Sequence, residues 1–167
     1  MLDTASRKKS RYATIKVRNA SEIPATLAEF GVDAGPVLRR AGLDPDLFSA
    51  PENVLPFTAL GRLVSECIQA TGCESFGLRV GARMRITAVG LTGLAAVHAP
   101  TVRDAVQILT STLRTSNTGA VAALDVRGAS ASFAYVITAS EVASADHIVD
   151  AAIAMIFNTM RQLCGPA

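Results

Sequence analysis

The amino-acid sequence predicts an α+β domain in which helices predominate. In most of the chain, apolar residues recur at three- and four-residue spacing, which is typical of amphipathic helices. Between residues 120 and 138 they recur at every second position, which indicates strands. The helical spacing then returns over Ser144–Leu163 and predicts a long C-terminal helix that ends at Gly165 and Pro166.

The first half of the chain is predicted to be helical apart from a short strand-like segment, Thr14–Arg18, and a loop over residues 49–55. Ser21 is expected to cap the first helix, with Pro24 in its first turn, where a missing N–H costs nothing. The helices predicted in this half are Ser21–Phe30, Asp33–Ala41, Phe57–Ala70 and Phe76–Met84.

Two more helices are predicted before the strands. Ala88–Ala99 carries apolar residues around its whole circumference, which predicts a buried helix. Its two glycines, Gly90 and Gly93, indicate that another backbone approaches closely. Thr101 is expected to cap the next helix, Val102–Arg114, because its hydroxyl can accept a hydrogen bond from a free N–H of the first turn.

The strand-like residues 120–138 predict an antiparallel hairpin. Ala120–Val126 and Ser130–Thr138 are both β-prone, and Gly128 lies in the turn between them. A two-stranded hairpin alone is marginally stable, so we expect a further strand to join it. Thr14–Arg18 is one candidate for that strand, and a partner chain is the other.

Length and composition point to one domain with a well-filled core. The 167 residues fit a single domain, since domains run to about 100–200 residues, and we assign it to residues 21–167. Half of the residues are hydrophobic and 18% are charged, which leaves apolar surface for a pocket or a partner. Aromatic residues make up only 5%, so a platform for stacking nucleic-acid bases is poorly supported.

Positive charge is concentrated at the N-terminus. Six of the 16 basic residues lie in the first 18 positions: Arg7, Lys8, Lys9, Arg11, Lys16 and Arg18. We therefore predict a basic N-terminal arm over residues 1–20. Such an arm is either a solvated, partly disordered terminus or a segment that touches phosphate without sequence specificity.

The cysteines and the apolar segments indicate a soluble cytoplasmic protein. Cys67, Cys73 and Cys164 form no CxxC pair and are odd in number, which is typical of reduced thiols. No apolar signal region follows the basic N-terminus, and the most apolar stretch, Val149–Phe157, is too short to span a bilayer.

The sequence offers no recognisable catalytic motif. No GxSxG elbow, phosphate-binding GxxxxGK[ST] loop or HExxH zinc motif is present. The two histidines, His98 and His147, are far apart and have no metal-ligand companions nearby in the sequence. We therefore expect no enzyme activity, no metal and no cofactor.

Four polar residues are candidates for ligand binding, because a pocket needs a few polar groups in an apolar lining. His98 closes the apolar run Leu91–Val97, Arg114 and Asn117 lie where a helix meets the hairpin, and Tyr135 lies on the hairpin. The alternatives are structural. His98 would contact helix-end carbonyls, Arg114 and Asn117 would lie in a solvated loop, and Tyr135 would be a core aromatic residue with its hydroxyl in water.

Two arginines form a second candidate site. Arg79 and Arg83 are four residues apart on one helix and share a face. Such a pair can hold a carboxylate or phosphate group, and its alternative is a solvated helix face.

Several short segments, in order, resemble one regulator family. They are residues 38–47 (LRRAGLDPDL), 70–72 (ATG), 76–83 (FGLRVGAR), 90–95 (GLTGLA) and 99–106 (APTVRDAV). Together they are similar to the N-terminal, arabinose-binding type domain of AraC-family transcription regulators, in the subgroup that includes ornithine-utilisation regulators. The similarity covers about residues 23–165.

The resemblance implies a bacterial domain that senses a small molecule and forms a homodimer. It also implies that DNA is read only by a C-terminal helix-turn-helix domain, which we expect to be absent from this chain. The effector is not implied, because no ligand motif carries over from the family. A dimerisation module without a ligand is the alternative, favoured by the apolar stripe on the last helix.

Overall fold

The computed structural model describes residues 13–165 and confirms the α+β class, the hairpin and the long last helix. Four strands form two antiparallel pairs among these residues: β1 (Thr14–Lys16), β2 (Val54–Pro56), β3 (Ala120–Arg127) and β4 (Ser130–Ile137). The helices of the described chain are α1 (Ile23–Glu29), α2 (Ala34–Arg40), α3 (Phe57–Thr71), α4 (Phe76–Arg83), α5 (Leu91–Val97), α6 (Val102–Ser116) and α7 (Ala145–Cys164).

The predicted hairpin is confirmed in position, and the structure adds its register. Ala122 lies opposite Tyr135 and Leu124 opposite Phe133, and these side chains share the half-buried inner face. Gly128 forms the turn with a φ of 59°, a left-handed conformation that glycine adopts without strain. The inner face of the hairpin packs on α6 and α7.

The strand β1 pairs with a segment that the sequence predicted as a loop. Ile15 lies opposite Leu55, and both side chains are buried. An isolated bridge, Ile15 to Asn117, and hydrogen bonds between Thr14 and Thr118 link β1 to the segment before the hairpin. Of the two candidates for a further strand of the hairpin, Thr14–Arg18 instead forms a separate sheet with β2, because alternation shows that a segment is extended and does not show its partner.

The end of the predicted basic arm belongs to the folded body. Ile15 and Val17 are buried, and the ammonium of Lys16 and the guanidinium of Arg18 both pair with the carboxylate of Glu52. These pairs, led by the hydrogen bond from Lys16, lower the pKa of Glu52. The rest of the arm, at residues 1–12, lies outside the described residues.

The main core lies beneath β1, α1 and α3. Its largest fully buried side chains include Leu27, Phe57, Leu63 and Phe76. A second, smaller core joins α5 and α6 to a 3-10 turn at Ile86–Val89, and it consists of Ile86, Ala96 and Ala105.

The helix predicted as buried over Ala88–Ala99 is shorter and mostly exposed. It is interrupted at Gly90, which has a φ of 73°, and it leaves Leu91 85% exposed. Gly93 meets the carbonyl oxygen of Ile86 so closely that no side chain would fit, which confirms the predicted backbone approach at that glycine. An apolar circumference does not reveal how many sides of a helix are covered, and here one side is.

The caps agree with the sequence at α6 and not at α1. The Thr101 hydroxyl accepts a hydrogen bond from the Asp104 backbone N–H at 3.1 Å, as predicted. The first helix begins at Ile23 instead, and its N-cap, Glu22, makes no side-chain cap, so the predicted Ser21 cap was wrong. Pro24 does lie in the first turn.

Glycines bring α4 and α7 into close contact. Side chains at Gly77 and Gly81 would collide with the carbonyl oxygens of His147 and Ala151. The two glycines are four residues apart and therefore face the same side of α4. This packing fixes the first half of α7 against α4 and so positions His147.

Candidate ligand cavity

A cavity lies between the inner face of the hairpin and the helices α3, α4, α6 and α7. Its apolar walls include Val64 from α3, Phe76 from α4, Leu113 from α6, Phe133 from β4 and Ile148 from α7. The elements converge here because the hairpin covers the seam between α6 and α7.

The cavity is large enough for a small molecule. The volume open to the centres of water molecules is about 100 Å³. A single water needs roughly 10–15 Å³ by this measure, so there is room for about seven to ten water-sized groups.

Asn117 and Tyr135 form a fixed polar pair in the cavity wall. The Asn117 amide nitrogen donates to the Tyr135 hydroxyl oxygen at 3.1 Å, and the Asn117 amide oxygen accepts from the Gly119 N–H at 2.9 Å. The Asn117 side chain is buried, so both bonds hold its amide in one orientation.

The Tyr135 hydroxyl is left as a hydrogen-bond donor. Its oxygen already accepts from Asn117, and within residues 13–165 no protein acceptor is bonded to its proton. Burial raises the pKa of Tyr135 to about 12, although the Asn117 hydrogen bond acts in the opposite direction. The hydroxyl therefore keeps its proton at physiological pH and can donate it to a ligand.

His147 adds a polar group that the sequence prediction missed. It lines the cavity from the first turn of α7, and its Nδ1 is buried without a hydrogen-bond partner in the described part of the chain. Its Nε2 lies 4.0 Å from a carboxylate oxygen of Asp146, too far for a hydrogen bond. It shares one side of α7 with Ala151 and Met155, four and eight residues further on, but the sequence does not show that this side faces a cavity.

The structure brings together two of the four predicted ligand residues, Asn117 and Tyr135. Arg114 and His98 are exposed and do not line the cavity. Arg114 follows Leu113, which does line it, and the 100° turn per residue of a helix directs Arg114 outwards. His98 ends α5, which packs on α6 and not on the hairpin.

The predicted arginine pair serves the fold. The Arg83 guanidinium pairs with Glu22, at 3.1 Å between Nε and Oε2, and also with Glu29. Arg79 lies over the ring of Phe30, 5.3 Å from its centre. The two side chains thus engage different partners and do not form a clamp for an external anion.

The remaining reactive groups show no cluster. Burial raises the pKa of the Cys67 thiol to about 12, so it stays neutral and is a poor nucleophile. Among residues 13–165, no three His, Cys, Asp or Glu side chains are grouped as metal ligands. No helix of that part combines the length and the apolar character needed to cross a membrane.

An apolar interior cavity with a few oriented polar groups is the kind of site that binds small molecules. The chain matches the family model described as the arabinose-binding domain of AraC transcription regulator, N-terminal, over residues 31–167. This match covers most of the chain, which therefore belongs to that family and is a regulatory domain of the AraC type. The comparison with curated proteins gave no match. Ile15 and Asn19, in the cavity wall, precede the matched residues.

Proposed function

We propose that this chain is the ligand-sensing and dimerisation domain of an AraC-type transcription regulator and has no enzyme activity. A small effector binds in the cavity and controls DNA binding by a C-terminal domain, in the bacterial cytoplasm. The observation that carries the proposal is the oriented pair of Asn117 and Tyr135, with a donor proton directed to no protein acceptor in the described chain. The ornithine-utilisation subgroup stays a prediction.

The last helix, α7, is the element that can transmit binding. Met155 and Ile156 line the cavity, and one turn further on Asn158 donates to the carbonyl oxygen of Met84 at 2.7 Å. The carboxamide oxygen of Gln162 accepts from the Ile86 N–H at 3.3 Å. A ligand shifts the regulator only if it binds one arrangement more tightly than another, and α7 connects the cavity wall to these fixed points.

Dimerisation is supported by an apolar face on α7. Ile153 is 42% exposed and Phe157 is 64% exposed, and their spacing of four residues puts them on one side of the helix. A second copy of this chain is the occupant that we propose for this face. A dimerisation module that binds no effector would rest on the same observation and is the second candidate function.

A thermal-shift screen of the purified chain separates the two candidates. The library covers sugars, amino acids, fatty acids, ketones and nucleotides. An effector present at 100 times its Kd would add about 2.7 kcal/mol to the free energy of unfolding and raise Tm. A pure dimerisation module would give a flat screen and a Tm that depends on protein concentration alone.

Three variants assign the result to its site. We expect Tyr135→Phe to reduce the ligand-induced shift and Arg114→Ala, outside the cavity, to preserve it. Phe157→Glu should abolish the concentration dependence of Tm, while Leu91→Glu, on the exposed side of α5, should not. A ligand shift that Tyr135→Phe leaves intact and Arg114→Ala removes would place the effector outside the cavity.

A further inference from the structure

We infer that the effector is an uncharged, mainly apolar molecule of about ten or fewer non-hydrogen atoms with one hydrogen-bond-accepting group, such as a ketone or an ester. This inference rests on the proposed function, since it names the ligand class of the same cavity. It differs from the sugar in the name of the family.

Among residues 13–165, the walls of the cavity carry few polar side chains and no Asp, Glu, Lys or Arg. Of the lining residues in this described part of the chain, only five have a nitrogen or oxygen in the side chain. The five are Asn19, Thr110, Asn117, Tyr135 and His147. The other lining side chains are hydrocarbon or thioether.

Three of these polar side chains are already engaged by the protein. Asn117 holds Tyr135 and the Gly119 N–H. The Thr110 hydroxyl donates to the carbonyl oxygen of Val106 at 3.0 Å. The amide nitrogen of Asn19 is shared between two backbone carbonyl oxygens, each at 3.3 Å. Tyr135 and His147 each keep a hydrogen-bonding group that has no protein partner in residues 13–165, the hydroxyl proton of Tyr135 and the buried Nδ1 of His147.

That inventory does not suit a sugar or an amino acid. A monosaccharide brings several hydroxyl groups, and each one buried without a partner is unfavourable. A zwitterionic amino acid brings two charges, which need opposite charges or several hydrogen bonds when they leave water. The described residues of the cavity wall offer neither, and Arg114, which follows the lining residue Leu113, is exposed outside the cavity.

The donor at Tyr135 selects an acceptor on the ligand. Because its oxygen accepts from Asn117, the hydroxyl has its proton to offer. A carbonyl oxygen of the ligand can accept this hydrogen bond, and a ketone or ester brings no donor that would need a partner. The hydrocarbon part of the ligand then lies against Leu113, Phe133 and Ile148. The buried Nδ1 of His147 provides a second place for a polar contact.

The test measures, by titration calorimetry, how tightly the full chain binds five probes of similar size. These are 2-heptanone, toluene, heptanoate, L-arabinose and L-ornithine. We expect 2-heptanone to bind most tightly, toluene more weakly, heptanoate at least 10-fold more weakly than the ketone, and the last two not detectably. Tyr135→Phe should weaken 2-heptanone about 3- to 10-fold, the loss of one net hydrogen bond, and leave toluene unchanged.

Two cavity-filling variants locate the binding. Leu113→Trp and Ala152→Leu each place extra atoms in the cavity and should abolish binding of 2-heptanone and toluene. Arg114→Ala should leave the binding of both compounds unchanged. The second filling variant keeps the test valid if the first one does not fold, as judged by circular dichroism.

The outcomes separate the ligand class from the sensor function. If arabinose, ornithine or heptanoate binds more tightly than 2-heptanone and Ala152→Leu abolishes that binding, the ligand class is overturned and the sensor function is supported. If 2-heptanone binds equally to the wild type and to both filling variants, the cavity assignment is overturned. If none of the five binds, the ligand class is overturned, and only a flat library screen also overturns the sensor function.

Discussion

The two sides of the cavity are held in place to very different degrees. On one side, α1, α3 and α4 enclose side chains such as Leu27 and Phe76 that have no exposed surface. On the other side, the hairpin is a two-stranded sheet covered on one face only, and Val136 on its outer face is 53% exposed. The small helix α5, which packs on α6, leaves Leu91 exposed.

This difference indicates a firm wall and a compliant wall around one ligand site. Regions with few buried apolar contacts open locally at a lower free energy than the whole protein unfolds. The hairpin, with α5 and α6, is the region that can adjust to a ligand, while the side formed by α1, α3 and α4 stays in place. The following changes test how far the two sides differ.

The largest difference is expected between Phe57→Ala and Leu91→Ala. Phe57 is fully buried at the start of α3, and its ring packs so closely on Gly119 that it also joins the two sides. Its truncation should lower the free energy of unfolding by about 3–5 kcal/mol. The same truncation at Leu91 should change it by about 0.5 kcal/mol or less.

Urea denaturation of both variants measures the two changes in the free energy of unfolding. A loss at Leu91 similar to that at Phe57 would mean that α5 is covered in solution, for example by a second copy of the chain. The two sides would then be equally firm.

The next largest effect is the loss of stability at alkaline pH, to which one titratable group on each side of the cavity contributes. Burial raises the pKa of Cys67 in α3 from 9.0 to about 12 and that of Tyr135 in the hairpin from 10.0 to about 12. Above pH 9 the unfolded chain loses the Cys67 proton that the folded chain retains, so the stability falls as pH rises. Tyr135 adds to this fall above pH 10, and together they are worth up to a few kcal/mol by pH 12.

Matched variants separate the two groups. Cys67→Ala should flatten the profile of unfolding free energy from pH 9 upwards, and Tyr135→Phe only from pH 10 upwards. An unchanged profile in Cys67→Ala would show that the thiol is less buried than its position indicates. If Tyr135→Phe does not change the profile, the hairpin side contributes less to the loss of stability at alkaline pH than the raised pKa of Tyr135 suggests.

Sequence patterns anticipated most of the elements because their signals are local. The stripe in α3, the cap at Thr101 and the turn at Gly128 each depend on residues within a few positions of one another. The pairing of β1 with β2 was missed because it joins residues 40 positions apart, Ile15 and Leu55, and β2 is too short to show a period.

For the site, the sequence indicated the junction of α6 with the hairpin, and Asn117 and Tyr135 do meet there. The sequence did not exclude Arg114, since the direction of a side chain at the predicted end of a helix is not known until the end of the helix is known. His147 was missed because its role depends on the contact of α7 with Gly77, a long-range feature. The exposed side of α5 was missed for the same reason.

A smaller effect is expected from adding one methyl group at two helical glycines. Gly81→Ala would collide with the Ala151 carbonyl oxygen and the Ala154 side chain, at the contact between α4 and α7. It should cost about 1–3 kcal/mol by overpacking. Gly35→Ala in α2 meets no atom closer than 3.7 Å and should stabilise the protein by about 0.5–1 kcal/mol.

Thermal melting of the two variants and of wild type gives the comparison. Equal and stabilising shifts would mean that α4 and α7 separate easily. The helix pair that frames the cavity would then belong to the compliant side.

The smallest expected effect separates the two sides most sharply. Thr101 caps α6 and Asp33 caps α2, and each accepts a backbone N–H through its side-chain oxygen. Replacing either residue by Ala should cost about 1 kcal/mol. If the hairpin side opens on its own, Asp33→Ala should speed amide hydrogen exchange in α2 and α3 about fivefold and leave α6 unchanged, because the Asp33 cap stays formed while the hairpin side is open. Thr101→Ala should speed exchange in α6 and α3 alike, because the lost cap lowers the free energies of both local opening and global unfolding. The same pattern of exchange in both variants would mean that the protein unfolds as one unit, and the ligand would then have to be accommodated by both walls.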